Sequence, residues 1–319
     1  MSTRFRLTMA QLNPTVGDIA GNAAKALDAW SQGRDAGSDF VMLPEMFLVG
    51  YQTQDLIMKP AFQEAARDAL EALAVRCADG PMLGIGGPLA EVHSDGAKLH
   101  NAYFILKGGK VHATTRKYFL PNFNVFDEVR LFSRSDMQGP WDAGPLRIGT
   151  PICEDSWYPE VCEAMVESGA EVLMVPNGSP YFRDKHDYRM NQMVARVTEN
   201  DVPLVYLNMV GGQDDQVFDG GSFVLNRHGA LALQLPWFEE AIANVDFVHT
   251  SDGWVAEDGH KVLEPDSMET DYAAMVMGLR DYMGKTGFKR VLLGLSGGVD
   301  SAIVAAIAAD ALGPDNVRC

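Results

Sequence analysis

Three short stretches of the sequence could do chemistry together. Leu43-Pro44-Glu45-Met46-Phe47 closes one apolar run with a carboxylate. Arg116-Lys117-Tyr118 puts an ammonium at the end of a hairpin, and Ile152-Cys153-Glu154 closes a second apolar run with a thiol. A strand end suits such groups, because the strand fixes the backbone while the loop beyond it admits a substrate. Each residue alone has a blander reading. A cysteine in an apolar run is usually a small buried hydrophobe, and a Glu or Lys at a strand end is usually a solvated charge. Together they supply a nucleophile, a base to deprotonate it and a cation for a developing oxyanion. A free thiol titrates near pH ~8.5, so at neutral pH it needs that base.

The rest of the composition narrows the setting. The chain has 319 residues, 47% hydrophobic and 22% charged, as in ordinary globular proteins. A formal net charge of −17 argues against nucleic acid or an anionic membrane as the main partner. The four cysteines, Cys77, Cys153, Cys162 and Cys319, have neither metal-ligand nor disulfide-framework spacing. No apolar run is long enough to span a bilayer, and the N-terminal residues have no signal-like apolar core. The expected compartment is the cytoplasm, where a lone thiol stays reduced.

The three candidate residues need elements to hold them. Apolar runs at Phe5–Leu12, Phe40–Leu43, Met82–Ile85, Leu146–Ile152, Val172–Val175 and Leu204–Asn208 predict strands. Helical spacing predicts helices over Asn22–Trp30, Phe62–Cys77, Pro159–Ser168 and Tyr188–Glu199. Hairpins are expected around Gly108-Gly109 and around Arg227-His228-Gly229. Strands that alternate with helices, interrupted by hairpins, predict an α/β fold with two mixed sheets back to back and helices outside. The polar, acidic stretch 251–267 reads as a linker between a domain over 1–250 and a segment over 268–319. That segment reads as a helix, a strand over Arg290–Leu295 and a helix over Ala302–Leu312. One βα unit buries little core of its own, so a nucleotide-dependent synthesis by these residues alone is not expected.

The triad and its setting, L-P-E-M-F, R-K-Y-F-L-P-N and I-C-E-D-S-W, resemble the nitrilase superfamily over about residues 5–250. The resemblance implies a four-layer α-β-β-α sandwich and a Cys–Glu–Lys amidase, with Cys153 as nucleophile, Glu45 as base and Lys117 as oxyanion donor. It also implies that Glu128 orients Lys117. The plain alternative for Glu128 is a surface carboxylate paired with Arg130.

The sequence Gly294-Leu295-Ser296-Gly297-Gly298-Val299-Asp300-Ser301 lies between a strand and a helix. Its glycines let the backbone curl round a phosphate, and the Lys of a Walker-type loop is missing. It resembles the ATP pyrophosphatase family, which implies ATP binding along this stretch and Mg²⁺ near Asp300. An amidase followed by this motif resembles the glutamine-dependent NAD⁺ synthetase family. That likeness implies L-glutamine, ATP and nicotinate adenine dinucleotide as substrates and a homo-oligomer. It implies glutamine contacts from Phe123, where relatives carry Tyr, from Ser179 and from Lys185. Arg189 is expected to assist and Tyr51 to close the pocket. The other readings are an amidase for a different small amide and a catalytically idle regulatory domain.

Overall fold

Alternation along the first strand sets the architecture. In β1 (Arg4–Gln11), Phe5, Leu7 and Met9 face one way, while Ala10 faces the other. Both sets are buried, so β1 lies inside a layered molecule and not at its surface. The computed structural model describes residues 3–93 and 96–319.

The first half of the chain runs α1 (Ile19–Asp35), β2 (Phe40–Met42), α2 (Pro60–Arg76), β3 (Met82–His93), β4 (Gly96–Lys107) and β5 (Lys110–Arg116). A short helix, α3 (Glu128–Leu131), follows. The second half runs β6 (Trp141–Asp142), β7 (Arg147–Gly149), α4 (Pro159–Glu167), β8 (Val172–Asn177), α5 (Lys185–Asn200) and β9 (Leu204–Asn208). The strands β10 (Val210–Gln213), β11 (Gln216–Asp219), β12 (Phe223–Leu225), β13 (Leu231–Gln234), β14 (Ala241–Thr250) and β15 (Gly253–Ala256) complete it.

One sheet has the order β15-β14-β1-β2-β3-β4-β5, and the other β13-β12-β9-β8-β7-β6. Three apolar clusters fill the spaces between four layers. Phe5, Leu7 and Met42 meet Ile148, Met174 and Val205 between the sheets. Val41, Leu83 and Ile85 meet Trp30 and Leu73 of α1 and α2. Leu173, Leu204 and Tyr206 meet Met165 of α4 and Val197 of α5. This is the four-layer sandwich expected from the sequence. No helix is long and apolar enough to cross a membrane among the described residues.

The stretch 251–267 is not wholly a linker. Its residues 253–256 form β15, where Phe247 pairs with Ala256 and His249 with Trp254. Trp254 and Ala256 are buried between the sheets, so burial on alternate residues outweighs the polar composition around them. β14, which the elements read from sequence omit, supplies the antiparallel partner of β1.

After the sheets come α6 (Ser267–Thr286), β16 (Val291–Leu292), α7 (Val299–Leu312) and β17 (Val317–Arg318). Asp266 caps α6 by accepting from the backbone N–H groups of Met268 and Glu269. The helix docks on the β10–β11 hairpin. Lys285 donates to Asn13 Oδ1, Pro14 O and Gly212 O at 2.7–2.9 Å, and Asp281 accepts from Gly212 N at 2.6 Å. The strand predicted over Arg290–Leu295 is only two residues long, since Leu292 and Leu295 are exposed and a parallel pair with β17 is all that holds it.

Candidate active site

Glu45 lies just beyond β2, where Met46 adopts a positive φ of 49°. The loop presses so closely on β3 that a Cβ on Gly86 would sit 2.1 Å from Met46 N, so that strand position must be glycine. Glu45 is fully buried. Its Oε1 accepts from Lys117 Nζ and from Asn101 Nδ2, both at 2.7 Å. Its Oε2 accepts from Gly178 N at 2.8 Å, which ties the first sheet to the loop after β8.

Lys117 follows β5, and its ammonium is wholly enclosed. It also lies 3.1 and 3.0 Å from the two oxygens of Glu128. Glu128 accepts in addition from Tyr51 OH at 2.8 Å and from Asn101 Nδ2 at 3.1 Å. Two carboxylates thus share one ammonium, with an amide and a phenol as further donors. Burial pulls the Lys117 ammonium down, but Glu128 and Glu45 outweigh it and hold the group well above its usual range. Burial pushes Glu128 up, against the pull of Lys117.

Cys153 opens a short 3₁₀ turn, Cys153–Ser156, after β7. Its φ of 46° is left-handed, a strained conformation for a non-glycine residue that recurs at functional sites. Burial, reinforced by Glu45 and opposed by Lys117, pushes the thiol well above its usual range. The resting group is therefore a neutral thiol, which must lose its proton to a base as it attacks.

Cys153 lines a cavity of about 280 Å³ with Phe123, Glu154, Trp157, Ser179 and Lys185. Lys185 sits in the first turn of α5, three residues before the predicted helix start. Its ammonium lies 4.4 Å from the Trp157 ring centroid, 4.3 Å from Phe182 and 5.9 Å from Tyr188. Cation–π attraction holds it there while burial pulls its pKa down to about 8. Ser179 follows β8, and its N–H donates to Asn208 Oδ1 at 2.9 Å. Phe123 is half-exposed, with its ring 5.6 Å from that of Phe126.

Several expectations change in detail. Glu128 is 2% exposed and joins the buried cluster, while Arg130 pairs with Asp127 and Asp55 instead. Tyr51 does not close the pocket. It is buried and outside the cavity lining, its ring against Gly178 and its hydroxyl on Glu128. Arg189 lies behind the cavity wall. Its guanidinium donates to Asp219 at 2.9 and 2.7 Å, to Ser179 Oγ at 3.2 Å and to Ser179 O at 2.7 Å. Sequence reading missed Asn101, Gly178 N, Asn208 and Asp219. Of these, Asn208 carried a local signal, as a polar residue that ends an otherwise apolar strand.

The 294–301 stretch forms a turn with every residue from 294 to 300 exposed. Gly297 has φ 86°, and a Cβ there would meet nothing within 4 Å. Ser301 Oγ accepts from Ser296 N at 3.2 Å and lies 3.0 Å from Ser296 Oγ. An open glycine turn, two hydroxyls and the N-terminus of α7 fit a phosphate. Among the described residues no cluster of three or more His, Cys, Asp or Glu could hold a metal.

Comparison with known proteins agrees with this geometry. A carbon–nitrogen hydrolase model matches residues 6–252, and an NAD synthase model matches residues 271–319. The glutamine-dependent NAD(+) synthetase of Rhodobacter capsulatus is 56% identical over 319 residues, which is 100% of this chain and 57% of that protein. Its counterpart in Xylella fastidiosa strain 9a5c is 39% identical over 99% of this chain and 58% of its own length. The chain thus spans less than two thirds of these relatives. The solved structure of glutamine-dependent NAD+ synthetase from Acinetobacter baumannii in complex with adenosine diphosphate superposes with a TM-score of 0.92. It is 31% identical and covers 99% of this chain and 59% of that one. An amidase from Nesterenkonia sp. AN1, solved as a double mutant with acrylamide, shares the fold at a TM-score of 0.65 and 23% identity. That match covers 76% of this chain and 90% of the amidase.

Proposed function

The chain belongs to the carbon–nitrogen hydrolase family, and we propose that it hydrolyses the side-chain amide of L-glutamine as the ammonia-producing part of a glutamine-dependent NAD⁺ synthetase. The observation that carries this reading is the Lys117 ammonium, enclosed between Glu45 and Glu128, in one site with Cys153 and a cavity that also holds Ser179 and Lys185.

Glu45 takes the proton from the Cys153 thiol as sulfur attacks the amide carbon. Lys117 Nζ donates to the oxygen that becomes negative in the tetrahedral intermediate. Glu45 returns its proton to the leaving nitrogen, ammonia departs and a thioester remains on Cys153. Glu45 then takes a proton from water, which attacks the thioester. The acid is released and the thiol regains its proton. Ser179 and Lys185 hold the α-amino and α-carboxylate groups, with Lys185 on the carboxylate. Phe123 contributes its ring, since it has no hydroxyl. Glu128, Tyr51 and Arg189 support these groups without touching substrate.

The amidase unit is assigned to residues 1–256, since β15 belongs to its sheet, and the linker to the rest of 251–267. Residues 268–319 belong to an ATP-binding unit in which Gly294 to Ser301 cradle phosphate and Asp300 approaches Mg²⁺. ATP would supply the driving force for amidation of nicotinate adenine dinucleotide to NAD⁺, with AMP and pyrophosphate as the other products. We place this work in a homo-oligomer in the cytoplasm.

The test is a panel of small amides assayed for ammonia release. L-Glutamine is expected to be the best substrate, and Cys153→Ala to lower its turnover by ~10⁴-fold or more. Faster release from another amide would replace glutamine as the substrate. Full activity in the alanine variant would remove Cys153 from its role.

A further inference from the structure

Asp155 follows Cys153 by two residues, is 1% exposed and does not line the cavity. Its two carboxylate oxygens bridge two loops, and Oδ2 also accepts from Tyr118 N at 3.4 Å. Oδ2 accepts from Ile152 N at 3.1 Å, inside the turn that carries the thiol. Oδ1 accepts from Tyr118 N at 3.0 Å and from Phe119 N at 2.7 Å, in the segment that leaves Lys117. These loops come from different sheets. Lys117 follows β5, the edge strand of the seven-stranded sheet, and Cys153 follows β7 of the six-stranded one. Strand pairing therefore does not set the separation of ammonium and thiol.

We propose that Asp155 is a positioning residue: its carboxylate fastens the Cys153 turn to the Lys117 loop, so that nucleophile and oxyanion donor face one substrate carbonyl. The inference rests on the amide hydrolysis proposed above. An ionised carboxylate is acceptor-only, which matches three converging N–H donors, whereas an amide in its place turns an NH₂ toward at least one of them. The rings on the Lys117 side are also held. The Arg134 guanidinium stacks 3.7 Å from the Tyr118 centroid, and the Tyr158 ring lies 4.7 Å from Phe119. Burial pushes the Asp155 carboxyl up to about 7 against the pull of those N–H groups. A carboxylate kept at such a cost beside a nucleophile is more typical of active sites than of plain scaffolding.

The experiment compares the 319-residue chain with its Asp155→Asn variant. Three quantities are read: kcat and KM for glutamine, the unfolding midpoint, and the rate at which iodoacetamide alkylates Cys153, followed by peptide mass. In alkylation the sulfur displaces iodide, so this readout needs no assumption about the natural substrate. The expected result is a folded variant with kcat lowered ~100-fold, the scale set by a displacement of about 1 Å. KM should stay within about threefold, because Ser179 and Lys185 stand on the β8–α5 connection, and alkylation should slow by roughly tenfold. A kcat within about threefold of the parent, or a loss shared between kcat and KM, overturns the assignment. If the parent chain does not hydrolyse glutamine, the function proposed above fails by itself. Alkylation then decides the role of Asp155: slowed alkylation supports it and an unchanged rate overturns it. Should Asp155→Asn not fold, Asp155→Glu takes its place, keeping the charge but overshooting the N–H groups, with the same outcomes.

Discussion

The two candidate sites are built on opposite principles. The site around Cys153 is enclosed: Glu45, Lys117, Glu128 and Asp155 are each at most 2% exposed, and every one has several named partners. The turn at 294–301 is open, with its two hydroxyls bonded to each other and to the turn's own backbone, and with Gly294 and Gly297 facing empty space. Each arrangement suits the chemistry proposed for it. Attack by a neutral thiol needs a base and a cation fixed in a low-dielectric site before substrate arrives. A phosphate brings its own charge and needs only N–H groups and room for the backbone to approach.

The sharpest way to break the comparison is Glu45→Gln. The amide cannot accept the thiol proton, so glutamine turnover is expected to fall by ~10⁴-fold, about 5.5 kcal/mol of barrier. The substitution also removes one of two carboxylates that crowd a single ammonium. It also turns an NH₂ toward Gly178 N or toward Lys117 and Asn101, so the unfolding midpoint should fall only modestly. A large loss of stability together with activity would mean that the buried cluster serves the fold first and chemistry second.

Lys185 gives a smaller, pH-dependent effect. Burial lowers its pKa to about 8, so it is charged below that pH and neutral above it. A lysine that holds the glutamine carboxylate must lose its grip as the pH rises. KM for glutamine is expected to increase roughly tenfold between pH 7 and pH 9, with kcat less affected. Lys185→Arg keeps its charge throughout and should flatten that rise. Steady-state kinetics across the range would show it, and a flat KM in the parent chain would remove Lys185 from carboxylate binding.

What could be read from sequence follows the same division between enclosed and open. Glu45 and Cys153 were legible because each stands at the end of an apolar run, where a charge or thiol is conspicuous, and Lys117 because it ends a hairpin in a matching setting. The four layers were legible because buried strands and amphipathic helices alternate. The partners were not. Asn101 sits inside a long strand next to His100, where a polar residue is not conspicuous, and Asp219 meets Arg189 across 30 residues of chain with no periodic signal. Tyr51 was misplaced because an aromatic after a catalytic loop can line a pocket or be buried outside its lining, and only packing against Gly178 decides. β15 was hidden by its acidic surroundings, although Trp254 and Ala256 show the two-residue alternation of a strand.

The smallest expected effect tests whether the open region shares the core of the enclosed one. α7 is apolar on most of its surface, yet only Ile307 and Ala308 are buried, and Ile303 and Val304 are each 51% exposed. A half-exposed isoleucine has little burial to lose, so Ile303→Gln is expected to change stability by at most ~0.5 kcal/mol. Ile148 of β7 is fully buried between the sheets, and Ile148→Ala should cost ~2–5 kcal/mol through lost transfer energy and a cavity. Denaturant midpoints of the two variants, measured side by side, give the ratio. If Ile303→Gln costs as much as Ile148→Ala, then α7 is stabilised by the same cooperative core as the sandwich, and the contrast between an enclosed and an open region does not hold.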